Sequence, residues 1–332
     1  MNTAGDEVQV LLATHNGARF LAEQVESILA QDYACLRILA RDDGSTDGTR
    51  AILERYVETY PERFELLPMG VATGSAKGNF VLLLRSSTAP YLCCADQDDV
   101  WKADKVTKSM ERMRGLELKY GRDIPLLIFS DLEVVNDKLE RLHGSFWKHQ
   151  GITPENIHRF PRLLTQNVVT GCTALMNQPL AELASAVPRD SYMHDWWIAL
   201  MACAFGQADY LKDATVLYRQ HGRNVVGAVE HQKPNMVPRW RYHEKRREQW
   251  EWGERQAEAM LRVFGSRLPE EKAAILRDYV RCEQSRSRWT RVFTLLRGGF
   301  FLVGLRQNLA ILWYLFDMDA AKRTDPRAGD GE

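Results

Sequence analysis

Tyr91-Leu92-Cys93-Cys94-Ala95-Asp96-Gln97-Asp98-Asp99 decides the fold: five mostly apolar residues run directly into three carboxylates within four positions. A short apolar run bounded by polar residues reads as a fully buried strand. Three carboxylates so close together repel one another unless a cation sits among them. Side chains alternate along an extended segment, so Asp96 and Asp98 share one side while Asp99 points elsewhere. Oxygen ligands on such a platform favour Mg2+ or Mn2+, which keep waters and complete an octahedron with substrate phosphate oxygens. The same residues also read as a solvated acidic turn capping a helix that begins near Val100.

Upstream, the alternation of apolar runs and helical periodicity repeats. Residues 8–13 form an apolar run closed by Thr14-His15-Asn16-Gly17, and over 19–30 Phe20, Leu21, Val25, Ile28 and Leu29 fall at helical spacing. Residues 36–40 predict a second strand, 41–48 a loop, and 49–60 an amphipathic helix. A third strand is expected at 65–67, a helix entered from a Gly-rich turn at 74–85, and the fourth strand at 91–95. This order predicts an α/β fold with a mostly parallel sheet covered by helices. In such sheets ligands gather beyond the carboxyl ends of the strands, where 14–17, 42–44 and 96–99 all lie.

Further along, 126–129 predicts a strand ending in Ser130-Asp131, 170–176 another, 193–203 a helix entered through His194-Asp195, and 209–218 one or two more strands. After 221–227 the composition changes to long charged helices, 240–264 and 269–296, and the acidic tail 325–332 is expected to be disordered. A chain of 332 residues with 45% hydrophobic and 27% charged residues is globular. Its formal net charge of zero gives no electrostatic case for nucleic acid. The charge is uneven, since 239–306 holds 16 Lys/Arg against 9 Asp/Glu, which hints at an anionic surface or ligand near that part. Cys35, Cys93, Cys94, Cys172, Cys203 and Cys282 include no CxxC pair, so zinc and a disulfide framework are disfavoured and a reducing, cytoplasmic compartment is expected. Residues 1–7 are polar and acidic, so no secretory signal is expected, and no apolar run reaches the roughly 18 residues of a spanning helix.

Four segments taken together resemble a known family: Leu11-Leu12-Ala13-Thr14-His15-Asn16, Gln24-Val25-Glu26-Ser27-Ile28-Leu29-Ala30-Gln31, Arg41-Asp42-Asp43-Gly44-Ser45-Thr46-Asp47-Gly48-Thr49 and Asp96-Gln97-Asp98-Asp99. In this order they resemble the family 2 glycosyltransferases, nucleotide-sugar enzymes of the GT-A fold, over roughly residues 8–225. Phe129-Ser130-Asp131, Met193-His194-Asp195-Trp196-Trp197 and Tyr218-Arg219-Gln220-His221-Gly222-Arg223-Asn224-Val225-Val226-Gly227 further resemble the branch that holds many rhamnosyltransferases of bacterial surface polysaccharides. The resemblance implies a GT-A type, mostly parallel sheet flanked by helices over 1–228, with a nucleotide-binding half at about 1–100 and an acceptor half at about 101–228. A helical C-terminal extension would occupy 229–332. It also implies an inverting, metal-dependent hexosyltransferase that moves a sugar, rhamnose in this branch, from a nucleoside-diphosphate donor (dTDP-rhamnose or a UDP-sugar). The implied acceptor is a saccharide or polyprenyl-linked saccharide at the inner face of the cell membrane.

Roles follow for particular residues. Thr14 and Asn16 close the first strand with a hydroxyl and an amide suited to a pyrimidine ring or ribose; capping the next helix is their other reading. Asp42 or Asp43 suits the imide N–H of uracil or thymine, and the resemblance favours Asp42, although Asp43-Gly44-Ser45 also reads as a plain turn. Lys77 and Asn79 match the family's nucleotide or phosphate region, with Gly78-Asn79 in place of the usual Arg-Asn pair. Around Gly70, Gly74 and Gly78 there is neither GxGxxG nor GxxxxGK[ST], which disfavours a dinucleotide fold or P-loop. The resemblance assigns Asp96 to the ribose or the water shell of the metal and Asp98 to direct ligation, with Asp99 open between ligation and helix capping.

Inversion needs one base on the acceptor side. Asp195 is expected to supply it from a helix N-terminus, where the dipole favours negative charge, with His194-Asp195 where the family often has Glu-Asp. Trp196 and Trp197 offer a wall for stacking a sugar, or ordinary core packing, and Asp131 is expected to hold the acceptor sugar. His221 is expected to ligate the metal, and Arg219 and Arg223 to face the diphosphate. Across 288–316, Arg288, Arg291, Arg297 and Arg306 alternate with aromatic and aliphatic residues, which suits an interfacial helix on anionic lipid and equally a buried helix. An inactive nucleotide-sugar binding scaffold is the rival function, and intact Asp98 and Asp195 argue against it.

Overall fold

In the computed structural model, which describes residues 6–188, 191–221 and 239–323, the first apolar run is strand β1 (Val8–Thr14), buried along its whole length. It is followed by α1 (Leu21–Leu29), β2 (Leu36–Asp42), α2 (Thr49–Thr59), β3 (Phe64–Leu66), α3 (Ala76–Ser86) and β4 (Tyr91–Ala95). β1 pairs in parallel with both β2 and β4, and β2 with β3. The chain therefore steps outward from β1 to β3 and then returns to the other side of β1, a reversal that opens a crevice at the carboxyl ends of β1 and β4. Register sets Thr14 opposite Asp42 and Leu12 opposite Ala95, so three polar strand ends finish side by side. α1 turns Leu21, Val25 and Ile28 inward, and α3, capped by the Ser75 side chain, buries Phe80, Leu83 and Leu84.

The chain continues through β5 (Val100–Trp101), α4 (Lys105–Tyr120), β6 (Leu126–Val135), β7 (Arg141–His143), α5 (Phe146–Gln150), α6 (Phe160–Thr165), β8 (Leu175–Asn177), α7 (Gln178–Ala184), α8 (His194–Phe205) and β9 (Gln207–Arg219). The sheet has the order β3-β2-β1-β4-β8-β6-β9-β5, with β7 on β6. β8 is antiparallel to both β4 and β6, and β9 is parallel to β6. Direction is thereby restored, and β3, β2, β1, β4, β6 and β9 all point the same way. The fold is a mostly parallel α/β sheet flanked by helices, with additional helices at the C-terminal end.

Three local expectations are corrected. Segment 170–176 is a 3-10 turn at Gly171–Thr173 followed by the short β8, because Thr173 and Ala174 bond back to Thr170 and Gly171 instead of to a ladder. No helix begins near Val100: β5 pairs with β9 first, and α4 starts at Lys105. The single helix expected at 269–296 is two, α10 (Glu270–Gln284) and α11 (Arg288–Gly298), because Ser287 turns the backbone extended and its hydroxyl accepts from Thr290 N at 3.4 Å as a new N-cap. Segment 209–218 forms one strand, β9.

The chain divides into two compact units. One comprises Met1–His158, Val168–Arg189 and Met193–Val229, and contains the sheet. The other comprises Arg159–Asn167, Asp190–Tyr192 and Glu230–Glu332. In it α6 joins α9 (Arg239–Phe264), α10, α11 and α12 (Leu305–Arg323). Its centre is aromatic: Trp250 stacks on Tyr279 at 4.5 Å, and Phe300 meets Tyr279 edge-on at 4.8 Å. Gly253 allows α9 to approach α6, since a Cβ there would lie 2.3 Å from the Leu164 carbonyl oxygen. The tail 325–332 lies outside the described residues.

Asn177 fastens the antiparallel insertion. Its Oδ1 accepts from Leu126 N at 2.8 Å and Leu180 N at 3.3 Å, and its Nδ2 donates to the carbonyls of Arg122 at 3.2 Å and Ile124 at 2.8 Å. We expect Asn177→Ala to lower the unfolding free energy by about 2–3 kcal/mol, because it strands buried backbone groups and removes the α7 cap. Urea titration checks this, and a loss under about 0.5 kcal/mol would contradict it.

Candidate active site

The acid loop after β4 is held from two sides. Gln97 reaches across the crevice: its Oε1 accepts from His15 N at 2.8 Å and its Nε2 donates to His15 O at 2.9 Å, so its amide pairs with the main chain after β1. Gly17 makes room for it, since a Cβ there would lie 2.1 Å from Gln97 Oε1. From the other side comes Arg219, at the end of β9. Its backbone N donates to Asp99 Oδ1 at 3.1 Å, its Nε to Asp98 O at 2.8 Å, its Nη1 to Asp137 O at 2.6 Å and its Nη2 to Glu23 Oε2 at 2.6 Å. Two residues farther on, His221 stacks on Phe20 at 5.0 Å and brings Nε2 to 2.8 Å from Asp98 Oδ2.

The loops after β1 and β2 interlock. Asn16 N donates to Ser45 Oγ at 2.8 Å, Gly17 N to Thr49 Oγ1 at 2.8 Å and Ala18 N to Asp47 Oδ2 at 3.2 Å, while Asn16 Oδ1 accepts from Thr46 N at 2.8 Å. Asn16 has a φ of 50°, a left-handed conformation that asparagine tolerates better than most residues. Ser45, Asp47 and Thr49 thus accept from a single backbone stretch, and Thr46 N returns a bond to the Asn16 side chain. Asp42 accepts from Thr14 Oγ1 at 3.0 Å and from Ser45 Oγ and N. Asp43 accepts from Arg41 Nη1 at 2.6 Å, Thr73 N and Oγ1, and Gly74 N, which fills both lone pairs of each oxygen. Asn79 bridges β1 and β2, with Nδ2 on the carbonyls of Thr14 and Arg41 and Oδ1 accepting from Arg41 Nη1 at 2.9 Å.

On the opposite wall, α8 begins at His194, which places half-buried Asp195 in its first turn. His194 is 3% exposed, stacks on Phe80 at 4.0 Å and packs over Gly171, where a Cβ would meet its Nε2 at 2.8 Å.

Several sequence expectations change in this setting. Thr14 and Asn16 cap no helix: α1 follows Phe20, and no side chain caps it. Asp99 is no helix cap either, since it is 0% exposed and holds the Arg219 backbone. The Arg219 guanidinium, 1% exposed, is engaged with Glu23 and two carbonyls and does not face a diphosphate. Asp131 uses its oxygens on Leu132 N, Trp147 N and Ser145 Oγ, which anchors the start of α5. Trp196 and Trp197 are core residues, 3% and 0% exposed. Lys77 is half-buried in the first turn of α3. Arg223 lies outside the described residues. Sequence reasoning missed Gln97, Glu23, Arg41 and Phe20, whose roles arise from partners far along the chain.

The electrostatics single out the same wall. Burial, followed by the charges of Asp98 and Asp195, pushes the Asp96 carboxyl up to about 7. Burial and then Asp98 and Asp96 push Asp99 well above the ordinary carboxylate range. Burial acts upward on Asp43 as well, but hydrogen bonds from Arg41 and Thr73 outweigh it and hold the carboxyl below that range. Burial pulls the His194 imidazole down to about 3, so it is neutral at working pH. Two donor sets therefore surround the acid loop: Asp98 with His221, and Asp96, Asp99 and Cys172, whose ligand atoms lie within 4.8 Å of one another. Burial, then the neighbouring carboxylates, raises the Cys172 thiol well above its usual range, which makes it a poor ligand for a hard cation. Asp98 and His221, with the repulsion around Asp96, fit a divalent ion better.

Comparison with known proteins agrees with this architecture. The Glycosyl transferase family 2 profile matches residues 9–177. The dTDP-rhamnosyl transferase RfbG of Shigella flexneri is 27% identical over 228 residues, 65% of this chain and 74% of that protein. The Escherichia coli UDP-Glc:alpha-D-GlcNAc-diphosphoundecaprenol beta-1,3-glucosyltransferase WfgD is 25% identical over 146 residues, 44% of this chain and 53% of that one. Among solved structures, S. aureus TarS 1-349 has a TM-score of 0.55 at 13% identity, with 96% of this chain and 82% of that chain covered.

The raised Asp96 gives a test. The folded chain keeps that proton up to about 7, whereas an unfolded carboxyl releases it near 3.8. Between those values the folded state binds more protons, so this group makes stability fall as pH rises. His194, lowered to about 3 from 6.5, acts in the opposite sense, its stability being present above 6.5 and lost as pH falls. The wild-type curve therefore mixes these with other shifted groups, and the difference between Asp96→Asn and wild type reports Asp96 together with its effect on Asp99. In metal-free buffer that difference in Tm is expected to grow from pH 4 to about 7 in favour of the variant. A difference that does not change with pH would remove the assignment.

Proposed function

The chain belongs to glycosyl transferase family 2 and is a glycosyltransferase, and from that premise we propose that it is an inverting, metal-dependent enzyme that transfers a sugar, rhamnose first among the candidates, from a nucleoside-diphosphate donor, dTDP-rhamnose or a UDP-sugar. The acceptor in this reading is a saccharide or polyprenyl-linked saccharide, at the inner face of the cell membrane, in surface polysaccharide synthesis. Support comes from the relatives named for dTDP-rhamnosyl transfer and for a diphosphoundecaprenol acceptor. The observation that carries the reading is the 2.8 Å contact between Asp98 Oδ2 and His221 Nε2, in the loop whose Asp96 feels the charge of Asp195.

Asp42 takes the imide N–H of the base, because Asp43 has every acceptor position filled while Asp42 Oδ2 holds only Ser45 N among the described residues. Thr14, Asn16 and Asn79 shape the pocket around it, Lys77 faces the phosphates, and Asp96 faces the ribose. Asp98 and His221 would hold the divalent ion, and a nitrogen–oxygen pair suits Mn2+ better than Mg2+. When bound, that ion stabilises negative charge on the departing nucleoside diphosphate. Asp195 removes the proton of the acceptor hydroxyl while its oxygen attacks the anomeric carbon and the bond to the diphosphate breaks on the opposite side. One displacement inverts the configuration, and no glycosyl-enzyme forms.

Asp195→Asn is expected to reduce transfer on the order of 10²–10⁴-fold while the thermal shift induced by dTDP or UDP is unchanged. Retained turnover would sink the base assignment. In a panel of nucleoside diphosphates with and without Mn2+, thymidine or uridine diphosphate should give the largest shift, and Asp98→Asn or His221→Ala should abolish the Mn2+-dependent part. An equal shift from adenosine diphosphate would remove the role of Asp42.

A further inference from the structure

The C-terminal helices hold a stretch of one-sided charge. Residues 285–316 contain Arg286, Arg288, Arg291, Arg297 and Arg306 and no Asp or Glu. Arg291 is buried, and the other four are exposed. α11 turns Trp289 and Phe293 outward, and α12 turns out Leu305, Leu309, Trp313 and Phe316, each of the six at least 40% exposed. These positions lie on one face of each helix by their spacing. The two faces join, since Trp289 meets Phe316 edge-on at 5.8 Å and the Arg288 guanidinium lies 5.0 Å over the Phe316 ring. Meanwhile Ile311, Tyr314 and Leu315 on the other side of α12 are buried. This part of α12 is thus apolar on both sides, and the protein covers one of them.

The charge decides what covers the other. An isologous contact with a second copy would set arginine against arginine, with no carboxylate in the stretch to offset it. An anionic bilayer offers what the stretch lacks. Tryptophan and phenylalanine seat at the boundary between headgroups and acyl chains, and exposed arginines reach anionic headgroups from there. No helix among the described residues is long and apolar enough to cross a membrane. We propose that the outer face of α11 and α12 docks on an anionic lipid surface, with Trp289, Phe293 and Trp313 inserted at the interface and Arg288, Arg297 and Arg306 on the headgroups. This deepens the reading of a lipid-linked acceptor, and rests on it for its purpose though not for its physics.

The test is sedimentation of the full chain with vesicles of equal parts phosphatidylglycerol and phosphatidylcholine, or of phosphatidylcholine alone. Partition is expected to be at least about tenfold stronger on the anionic vesicles and to weaken with salt. Joint substitution Trp289→Ser, Phe293→Ser and Trp313→Ser should lower it at least about tenfold, and Arg288→Gln with Arg297→Gln and Arg306→Gln should abolish the preference for the anionic lipid. The thermal shift induced by nucleoside diphosphate should stay as in wild type in both variants, which shows that they fold and separates this surface from the active site. Vesicle binding in a chain that shows no nucleotide shift would support the surface and overturn the nucleotide-sugar reading. Undiminished binding by the serine variant, or equal binding to both vesicle types, would overturn the docking surface. So would a wild-type dimer that ignores vesicles and dissociates on serine substitution, which would assign the face to a second copy.

Discussion

The buried guanidinium of Arg219 is the constraint on which the rest of the active site depends. A cation this deep is tolerable only when its charge and donors are met, and Glu23 together with the carbonyls of Asp98 and Asp137 meets them. The Phe20 ring lies beneath it at 4.4 Å and carries His221 on the same ring. Three carboxylates within four positions would otherwise push their own backbone apart. With Arg219 behind it and Gln97 in front, the acid loop keeps its shape while its side chains continue to repel one another. That residual repulsion is the free energy a divalent cation would relieve on binding.

The parallel half of the sheet was legible because it is local. Each short apolar run from 8 to 95 is followed by a polar loop and a helix with its own periodicity, so strand ends such as Thr14, Asp42 and Asp96 were found without knowing the pairing. The antiparallel insertion was not legible in this way, since the three residues of β8 have no pattern of their own and are set by Asn177 and by their neighbours. The same distinction separates the site residues. Asp98 and His221 come together at the end of the acid loop. Asp131, Trp196, Trp197 and Arg219 carry the same chemical types and sit at equally suggestive places, yet they face inward. Residue type names what a side chain can do, but which way it points is decided by packing. Gln97 and Arg41 were passed over for the converse reason, because an amide or guanidinium that braces a distant loop leaves no periodic trace.

His194 shows the site at the expense of stability. Both of its ring nitrogens are buried with no hydrogen-bond partner among the described residues, an arrangement that is costly in a protein interior. The ring is nevertheless fixed between Phe80 and Gly171 in the turn that carries Asp195. Since burial keeps it neutral, it orients that turn by shape and brings no positive charge beside the carboxylate.

The contacts that complete the acid loop span the longest distances in the unit: Arg219 lies 120 residues after Asp99 and 196 after Glu23. As the chain is synthesised, the first four strands emerge able to pair while β9 is still unmade. Long-range closures of this kind come late in folding. A nascent or prematurely terminated chain would therefore carry the acidic cluster without its brace. The packing that fixes the acid loop is therefore complete only once β9 has been made.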